Sequence, residues 1–144
     1  MNRRLDSNKP MRILFYSNWY IKQTLQLANA LASEHRVTLI FPEYSPELNA
    51  CDGRVAMNKM QSGEYDLIIT DFKMPQMSGR DLFNWIKENR PSLASRVIFV
   101  TGDTVSMETR SFFEDNKNLY LAKPFKIEEV KEVIQQMLEA NAQR

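Results

Sequence analysis

Cysteine, histidine and glycine are scarce in this 144-residue chain, and each scarcity excludes a class of functional site. A single Cys excludes a disulfide framework and a zinc site built from clustered cysteines, and a single His argues against a histidine-based metal site. The four Gly residues form neither a G-x-G-x-x-G nor a Walker pattern, so the sequence shows no glycine-rich loop for nucleotide phosphates. Any ligand must therefore be held by carboxylates, hydroxyls, amines or backbone groups.

An excess of one charge and a long hydrophobic run are also missing. The 19 Lys and Arg residues nearly balance 18 Asp and Glu residues, which leaves no basic footprint for nucleic acid or an anionic membrane. No apolar run approaches the roughly 18 residues that a membrane span needs, and the N-terminus lacks the apolar core of a secretory signal. Because a lone cysteine also suits a reducing compartment, we expect a cytoplasmic protein with no nucleic-acid and no membrane partner.

The length and the 43% hydrophobic content suit one domain with a sizeable core. Residues 1–10 are polar and end in a proline, which predicts a flexible N-terminal tail before a domain at residues 11–144. From Arg12 onward, short apolar runs alternate five times with amphipathic stretches, as expected for βαβ units around a parallel sheet covered on both faces. The predicted strands are Ile13–Ser17, Val37–Phe41, Leu67–Thr70, Val97–Thr101 and Leu119–Leu121, and the predicted helices are Gln23–Ser33, Arg54–Gln61, Gly79–Asn89, Met107–Asp115 and Ile127–Ala140.

In some segments the hydrophobic residues follow neither the period of a helix nor that of a strand. Residues 42–52 contain two prolines and predict a long loop or a short extra turn. The FFEDNKN stretch at residues 112–118 is interpreted as a solvated connection.

Ser78, with Asp81 three residues later, is typical of a helix N-terminal cap.

The functional crevice of an open parallel sheet lies outside the carboxyl ends of its strands, so residues at those ends are the candidates for function. Strand three ends at Asp71, strand four at Thr101 and Gly102, and Lys123 and Pro124 follow strand five. A carboxylate, a hydroxyl and an amine therefore meet at one edge. This set of groups suits phosphoryl transfer, because a carboxylate attacks phosphorus while an ammonium and a hydroxyl hold the phosphoryl oxygens.

Three motifs in the same region resemble bacterial response-regulator receiver domains: YDLIITDFKMPQMSG at residues 65–79, VIFVTGD at residues 97–103 and LAKPF at residues 121–125. The resemblance implies a doubly wound, flavodoxin-like (βα)5 α/β fold with strand order 2-1-3-4-5. It also implies a non-enzymatic signalling module that accepts a phosphoryl group from a phosphohistidine. Asp71 is then the phosphoacceptor, Lys123 and Thr101 hold the phosphoryl group, and Thr101 and Tyr120 act as switch residues.

The implied partners are a histidine kinase or phosphotransfer protein, and a downstream protein that binds the face of helix four, strand five and helix five. The implied cofactor is Mg²⁺. Its ligands would be Asp71, Ser17, Asn18 and the backbone carbonyl of Lys73.

The first third of the chain departs from the receiver pattern, which has two adjacent acids at the end of strand one. Ser17 and Asn18 occupy these positions here, and both are neutral. Because Mg²⁺ prefers anionic oxygen ligands, we expect its binding to be weakened or lost. Glu43 is a candidate replacement carboxylate if strand two ends near it.

Two alternatives therefore stay open. One is a pseudo-receiver, or an engineered α/β chimera, in which the fold persists but Mg²⁺-dependent phosphorylation is impaired. The other is a small α/β enzyme that binds a nucleotide or sugar phosphate, because the first strand and helix resemble the opening of two-Rossmann-domain glycosyltransferases.

Overall fold

The computed structural model describes residues 8–16, 21–40, 44–45, 50–51, 54–72 and 78–143. A five-stranded sheet forms its centre, and every strand pairs in parallel with its neighbours. We number only the strands of this sheet. Their order is β2-β1-β3-β4-β5, which confirms the predicted order 2-1-3-4-5. The strands are β1 Arg12–Tyr16, β2 Arg36–Ile40, β3 Leu67–Asp71, β4 Val97–Thr101 and β5 Tyr120–Ala122.

Among the described residues, five α-helices connect and follow the strands, each within two residues of its predicted ends. Helix α3 begins where predicted because Ser78 caps it: the Ser78 hydroxyl accepts from the Asp81 N–H, and the Asp81 carboxylate accepts from the Ser78 N–H. The helices are α1 Ile21–Ala32, α2 Arg54–Ser62, α3 Gly79–Asn89, α4 Met107–Asn116 and α5 Ile127–Ala142.

Three local features differ from the sequence predictions. Residues 42–52 contain a short antiparallel ladder, Tyr44–Ser45 with Ala50–Cys51, in place of a simple loop or turn. Pro91–Arg96 form a 3-10 helix, which proline favours by presetting φ at the first turn. The stretch at residues 112–118 is not a solvated connection, because Phe112 and Phe113 lie within α4 and are buried against the sheet.

The sheet separates two apolar layers, because alternate residues of each strand point to opposite faces. On one face, Leu14, Ile68 and Phe99 pack against α2, α3 and α4. On the other face, Ile13 and Ile69 pack with residues of α1 and α5. Coverage of both faces explains why the strands are apolar without alternation, as the sequence predicted.

Two sequence predictions concern the N-terminal tail and the membrane. Of the predicted tail, the structure describes only residues 8–10, which are exposed, and Met11 immediately after them is buried. In the described residues, no helix combines the length and the apolar character needed to cross a bilayer.

Candidate phosphoacceptor site

Asp71 is the last residue of β3, at the carboxyl edge of the sheet. Its side chain is almost completely buried, with 2% exposed. Asp71 is aligned with Val100 of β4, and the N–H of Phe72 donates to the Val100 carbonyl at 2.9 Å. The central position of β3 in the sheet therefore places a carboxylate in a largely water-excluded position at the strand ends.

Lys123 supplies the counter-charge for Asp71. Its Nζ lies 2.7 Å from Asp71 Oδ1, and 17% of the Lys123 side chain is exposed. The position is set by the end of β5: the Lys123 N–H donates to the Thr101 carbonyl at 2.8 Å, and the following Lys123–Pro124 peptide bond is cis. Sequence reasoning placed these two residues at one edge, and the structure shows them in direct ionic contact.

Thr101 ends β4 one residue beyond Val100, the neighbour of Asp71. The residue is buried, and its hydroxyl makes two hydrogen bonds within its own turn. It accepts from the Asp103 N–H at 3.0 Å and donates to the Asp103 carbonyl at 3.2 Å. Thr101 thus lies between Asp71 and Lys123 in strand order, with its hydroxyl engaged by the loop that follows β4.

Tyr120 lies at the start of β5 and faces outward, with 45% of the residue exposed. Its ring stacks on Phe113 of α4, with centroids 4.6 Å apart and planes 9° from parallel. The candidate switch aromatic therefore belongs to the surface between α4 and β5.

Gly79 fixes how closely α3 approaches the site. A Cβ atom at this position would lie 2.4 Å from the Asp71 carbonyl oxygen and 2.8 Å from the Phe72 Cα. The Gly79 N–H donates to the Phe72 carbonyl at 2.7 Å, which joins the first residue of α3 to the residue after β3. Only glycine fits this contact without a backbone shift.

Asp103 lies beside the candidate site, and the sequence reasoning did not single it out. Its backbone holds the Thr101 hydroxyl, and its carboxylate accepts hydrogen bonds from Val105, Ser106 and Thr109. A sequence signal was present, because an Asp followed by a Ser three residues later and a Thr three residues after that is typical of loop and helix-cap hydrogen bonding.

Of the predicted metal ligands, only Asp71 lies among the described residues; Ser17, Asn18, Lys73 and the candidate replacement Glu43 lie outside them. Within the part of the chain that the structure describes, no three His, Cys, Asp or Glu side chains cluster as a metal site. The described donor set therefore offers Mg²⁺ one carboxylate, already paired with Lys123. Weakened Mg²⁺ binding stays a prediction, which rests on the neutral Ser17 and Asn18.

The family model for the response regulator receiver domain matches residues 29–135, a span that contains Asp71, Thr101, Tyr120 and Lys123. The chain belongs to this family. Among curated relatives, it is 30% identical over 90 residues to the chemotaxis protein CheY of Pseudomonas aeruginosa, an alignment that covers 62% of this chain and 73% of that protein. It is also 30% identical over 92 residues to the sensor kinase CckA of Brucella abortus, of which the match covers only 10%.

Solved structures show the same fold. The chemotaxis response regulator CheY4 of Vibrio cholerae superposes with a TM-score of 0.69 at 22% identity, covering 90% of this chain and 99% of that one. The receiver domain of the sensor histidine kinase PA1611 from Pseudomonas aeruginosa, which has a magnesium ion in its active-site cleft, gives a TM-score of 0.69 at 23% identity, with 90% and 98% coverage. The response regulator TrrA of Thermotoga maritima, solved in complex with Mg²⁺ and beryllofluoride, gives a TM-score of 0.64 at 23% identity, with 88% and 98% coverage.

The receiver fold also accounts for the first third of this chain. Strand β1 lies between β2 and β3, inside the same sheet as the candidate site. The family match covers residues 29–135, so the likeness of the first strand to a glycosyltransferase opening stays untested by that match.

Proposed function

We propose that this receiver domain accepts a phosphoryl group on Asp71 from a phosphohistidine of a histidine kinase or phosphotransfer protein. The observation that carries the proposal is the 2.7 Å contact between the buried Asp71 carboxylate and the Lys123 ammonium at the carboxyl edge of the sheet. A buried acid with a fixed cation beside it is suited to act as a nucleophile whose product carries additional negative charge.

The proposed step forms one bond and breaks one bond. An Asp71 carboxylate oxygen attacks the phosphorus, and the bond between phosphorus and the donor imidazole nitrogen breaks. The electron pair of that bond stays with the imidazole, which takes up a proton and leaves neutral. The product is an acyl phosphate on Asp71.

Lys123 and Thr101 then stabilise the phosphoryl oxygens. The Lys123 ammonium is already within ion-pair distance of Asp71 and moves its hydrogen bonds to the new anion. The Thr101 hydroxyl donates to a second oxygen once it leaves the Asp103 carbonyl. Gly102 leaves open space beside Thr101, because a Cβ at this position would meet no atom within 4 Å.

In this proposal Asp71, Asn18, Ser17 and the backbone carbonyl of Lys73 would hold Mg²⁺ weakly. The bound cation would neutralise charge between the anionic donor and the anionic nucleophile. The domain's own groups compensate in part, because Lys123 carries one positive charge into the same site. The presence of Mg²⁺ in the PA1611 receiver and in the TrrA complex supports a role for the cation in this fold.

The proposed output surface consists of α4, β5 and α5, with Tyr120 at its centre. In the structure, the Tyr120 ring on this surface is exposed and stacks on Phe113. Movement of Thr101 toward the phosphoryl group vacates volume behind β5, into which Tyr120 turns, so that a downstream protein meets a changed surface.

Intact-mass spectrometry after incubation with a small-molecule phosphodonor and Mg²⁺ tests the nucleophile. We expect the gain of one acid-labile phosphoryl group in the wild type and none in Asp71→Asn, which keeps the shape of the side chain. Equal labelling of Asp71→Asn at the wild-type rate would overturn the assignment.

A pseudo-receiver is the second candidate function, and the neutral residues Ser17 and Asn18 in the sequence favour it specifically. In this case the fold presents one fixed surface to a partner, and the mass experiment detects no labelling of the wild type. Restoring acids with Ser17→Asp and Asn18→Asp would then create labelling, because the Asp71–Lys123 pair is in place.

A further inference from the structure

The loop from Gly102 to Ser106 connects the candidate switch residue Thr101 to the first turn of α4, and Asp103 makes hydrogen bonds to both. Its N–H and carbonyl hold the Thr101 hydroxyl at 3.0 and 3.2 Å. Its Oδ1 accepts from the backbone N–H groups of Val105 at 3.2 Å and Ser106 at 3.0 Å. One residue therefore fixes the hydroxyl at the end of β4 and orders the backbone that leads into the next helix.

The other carboxylate oxygen of Asp103 reaches the helix itself. Oδ2 accepts from the hydroxyl of Thr109, which is buried, at 3.3 Å. Ser106 is the N-cap of α4; its hydroxyl donates to Thr109 Oγ1 at 2.9 Å and accepts from the Thr109 N–H at 3.3 Å. The cap of α4 and the Asp103 carboxylate thus share Thr109.

We infer that Asp103 is a positioning residue that holds the Thr101 hydroxyl in its resting hydrogen bonds and couples its release to the first turn of α4. The inference rests on the proposed function, because it takes Thr101 as a ligand of the phosphoryl group on Asp71. It adds a connection from Thr101 to α4 through the β4–α4 loop, independent of any movement of Tyr120.

The coupling follows from hydrogen-bond capacity. A threonine hydroxyl has one proton, so it cannot donate fully to the Asp103 carbonyl and to a phosphoryl oxygen at the same time. When it turns toward the phosphoryl group, the turn between residues 101 and 103 loses the hydrogen bond from the Thr101 hydroxyl to the Asp103 carbonyl. The Asp103 carboxylate then transmits the change, because the same residue anchors the N–H groups of Val105 and Ser106.

Backbone amide hydrogen exchange, measured without any ligand, tests whether the Asp103 carboxylate orders the loop. Asp103→Ala should accelerate exchange of the Val105 and Ser106 amides about tenfold, because both lose their acceptor. Asp103→Asn keeps an oxygen for these two amides and should stay near the wild-type rates. Glu108→Ala is the matched control for removal of an acid near the start of α4, since Glu108 forms an ion pair with Arg80 of α3 at 3.1 Å.

Binding of beryllofluoride in excess Mg²⁺, followed by NMR, tests the positioning role. Asp103→Ala should lower the half-saturating concentration of beryllofluoride severalfold, because the loop is less ordered without the carboxylate and its backbone holds the Thr101 hydroxyl less firmly. In a Thr101→Val background the same change should have no effect, since there is no hydroxyl to release. An effect that persists in Thr101→Val, or one equally large in Asp103→Asn, would show that loss of charge is responsible and overturn the inference.

Failure of the proposed function and failure of the role of Asp103 give different results. If the wild type shows no response to beryllofluoride, the proposed function fails, and the positioning role fails with it even if the amide exchange is as expected. If the wild type responds but Asp103→Ala alters neither exchange nor affinity, the inference about Asp103 is wrong while the proposed function stands.

Discussion

Gly79 and Gly102 both border the candidate site, yet the structure makes opposite demands on them. Gly79 lies where α3 meets the backbone after β3, and a methyl group there would overlap with main-chain atoms of Asp71 and Phe72. Gly102 has open space where its Cβ would be. The first glycine is required by packing, whereas the second is compatible with a larger residue in this state of the protein.

Alanine substitutions at these glycines should therefore differ in their effect on stability. We expect Gly79→Ala to lower the free energy of unfolding by about 1 to 3 kcal/mol, because backbone atoms cannot move aside as a side chain can. Gly102→Ala should change it by no more than about 0.5 kcal/mol. Urea denaturation of both variants measures the difference, and equal stabilities would contradict the close contact at Gly79.

The second prediction at the scale of residues concerns the charge of the side chains that would hold Mg²⁺. Replacing Ser17 and Asn18 together by aspartate should tighten Mg²⁺ binding by at least about tenfold, because two hard anionic ligands join Asp71. Calorimetric titration of both proteins with Mg²⁺ measures the change, and Asp71→Asn in the double variant should weaken binding again. Tight binding by the wild type that the double substitution leaves unchanged would refute the predicted weakness of the site.

At the scale of elements, the only histidine of the chain connects the start of β1 to the turn after α1. His35 Nδ1 accepts from the Met11 N–H at 3.3 Å. Burial lowers the pKa of His35 from its ordinary 6.5; nearby Glu34 opposes the shift and Lys131 adds to it. Glu34 and Lys131 form an ion pair at 3.0 Å that connects the end of α1 to α5 beside the histidine.

This environment predicts a pH dependence of stability. Because the pKa of His35 is lower in the folded protein, the unfolded chain binds more protons below pH 6.5, and stability decreases as the pH falls through that value. The protonated ring also cannot accept from Met11, so we expect a loss of about 1 kcal/mol on acidification. Urea denaturation between about pH 7.5 and 5.5 avoids the carboxylate range. His35→Gln should abolish the slope of the free energy of unfolding against pH. An unchanged slope in this variant would show that a group other than His35 causes it.

At the scale of the whole molecule, a cluster of aromatic rings spans the distance from the candidate site to the proposed output surface. Phe72 follows Asp71 in sequence and lies 5.1 Å, centroid to centroid, from Phe113. Phe113 in turn stacks on Tyr120 at 4.6 Å. Packed rings therefore form a continuous path of contacts from the end of β3 to the exposed Tyr120. Because the rings of a close-packed core have few alternative arrangements, a displacement at the end of β3 should reach Tyr120 along this path.

Backbone amide NMR with and without beryllofluoride, in excess Mg²⁺, measures this long-range response. We expect shifts near Asp71 and also around Tyr120, because release of Thr101 changes the contact between α4 and β5. A Phe113→Leu variant should reduce the shifts at Tyr120 while those near Asp71 remain. Shifts confined to the neighbourhood of Asp71 in the wild type would contradict the switch even if the aspartate is reactive.

The sequence alone determined the architecture and the placement of three candidate site residues. Strands covered on both faces need apolar residues throughout, so the pattern revealed all five, and a parallel sheet brings its carboxyl ends to one edge. Asp71, Thr101 and Lys123 could therefore be predicted as neighbours from the order of the strands. The predicted cap at Ser78 and Asp81 is also confirmed, because it depends only on residues three apart.

Only the tertiary structure decided the contacts that depend on distances between elements. The 2.7 Å ion pair, the demand for glycine at position 79 and the burial of Phe112 arise where separate elements pack, and no local pattern encodes those distances.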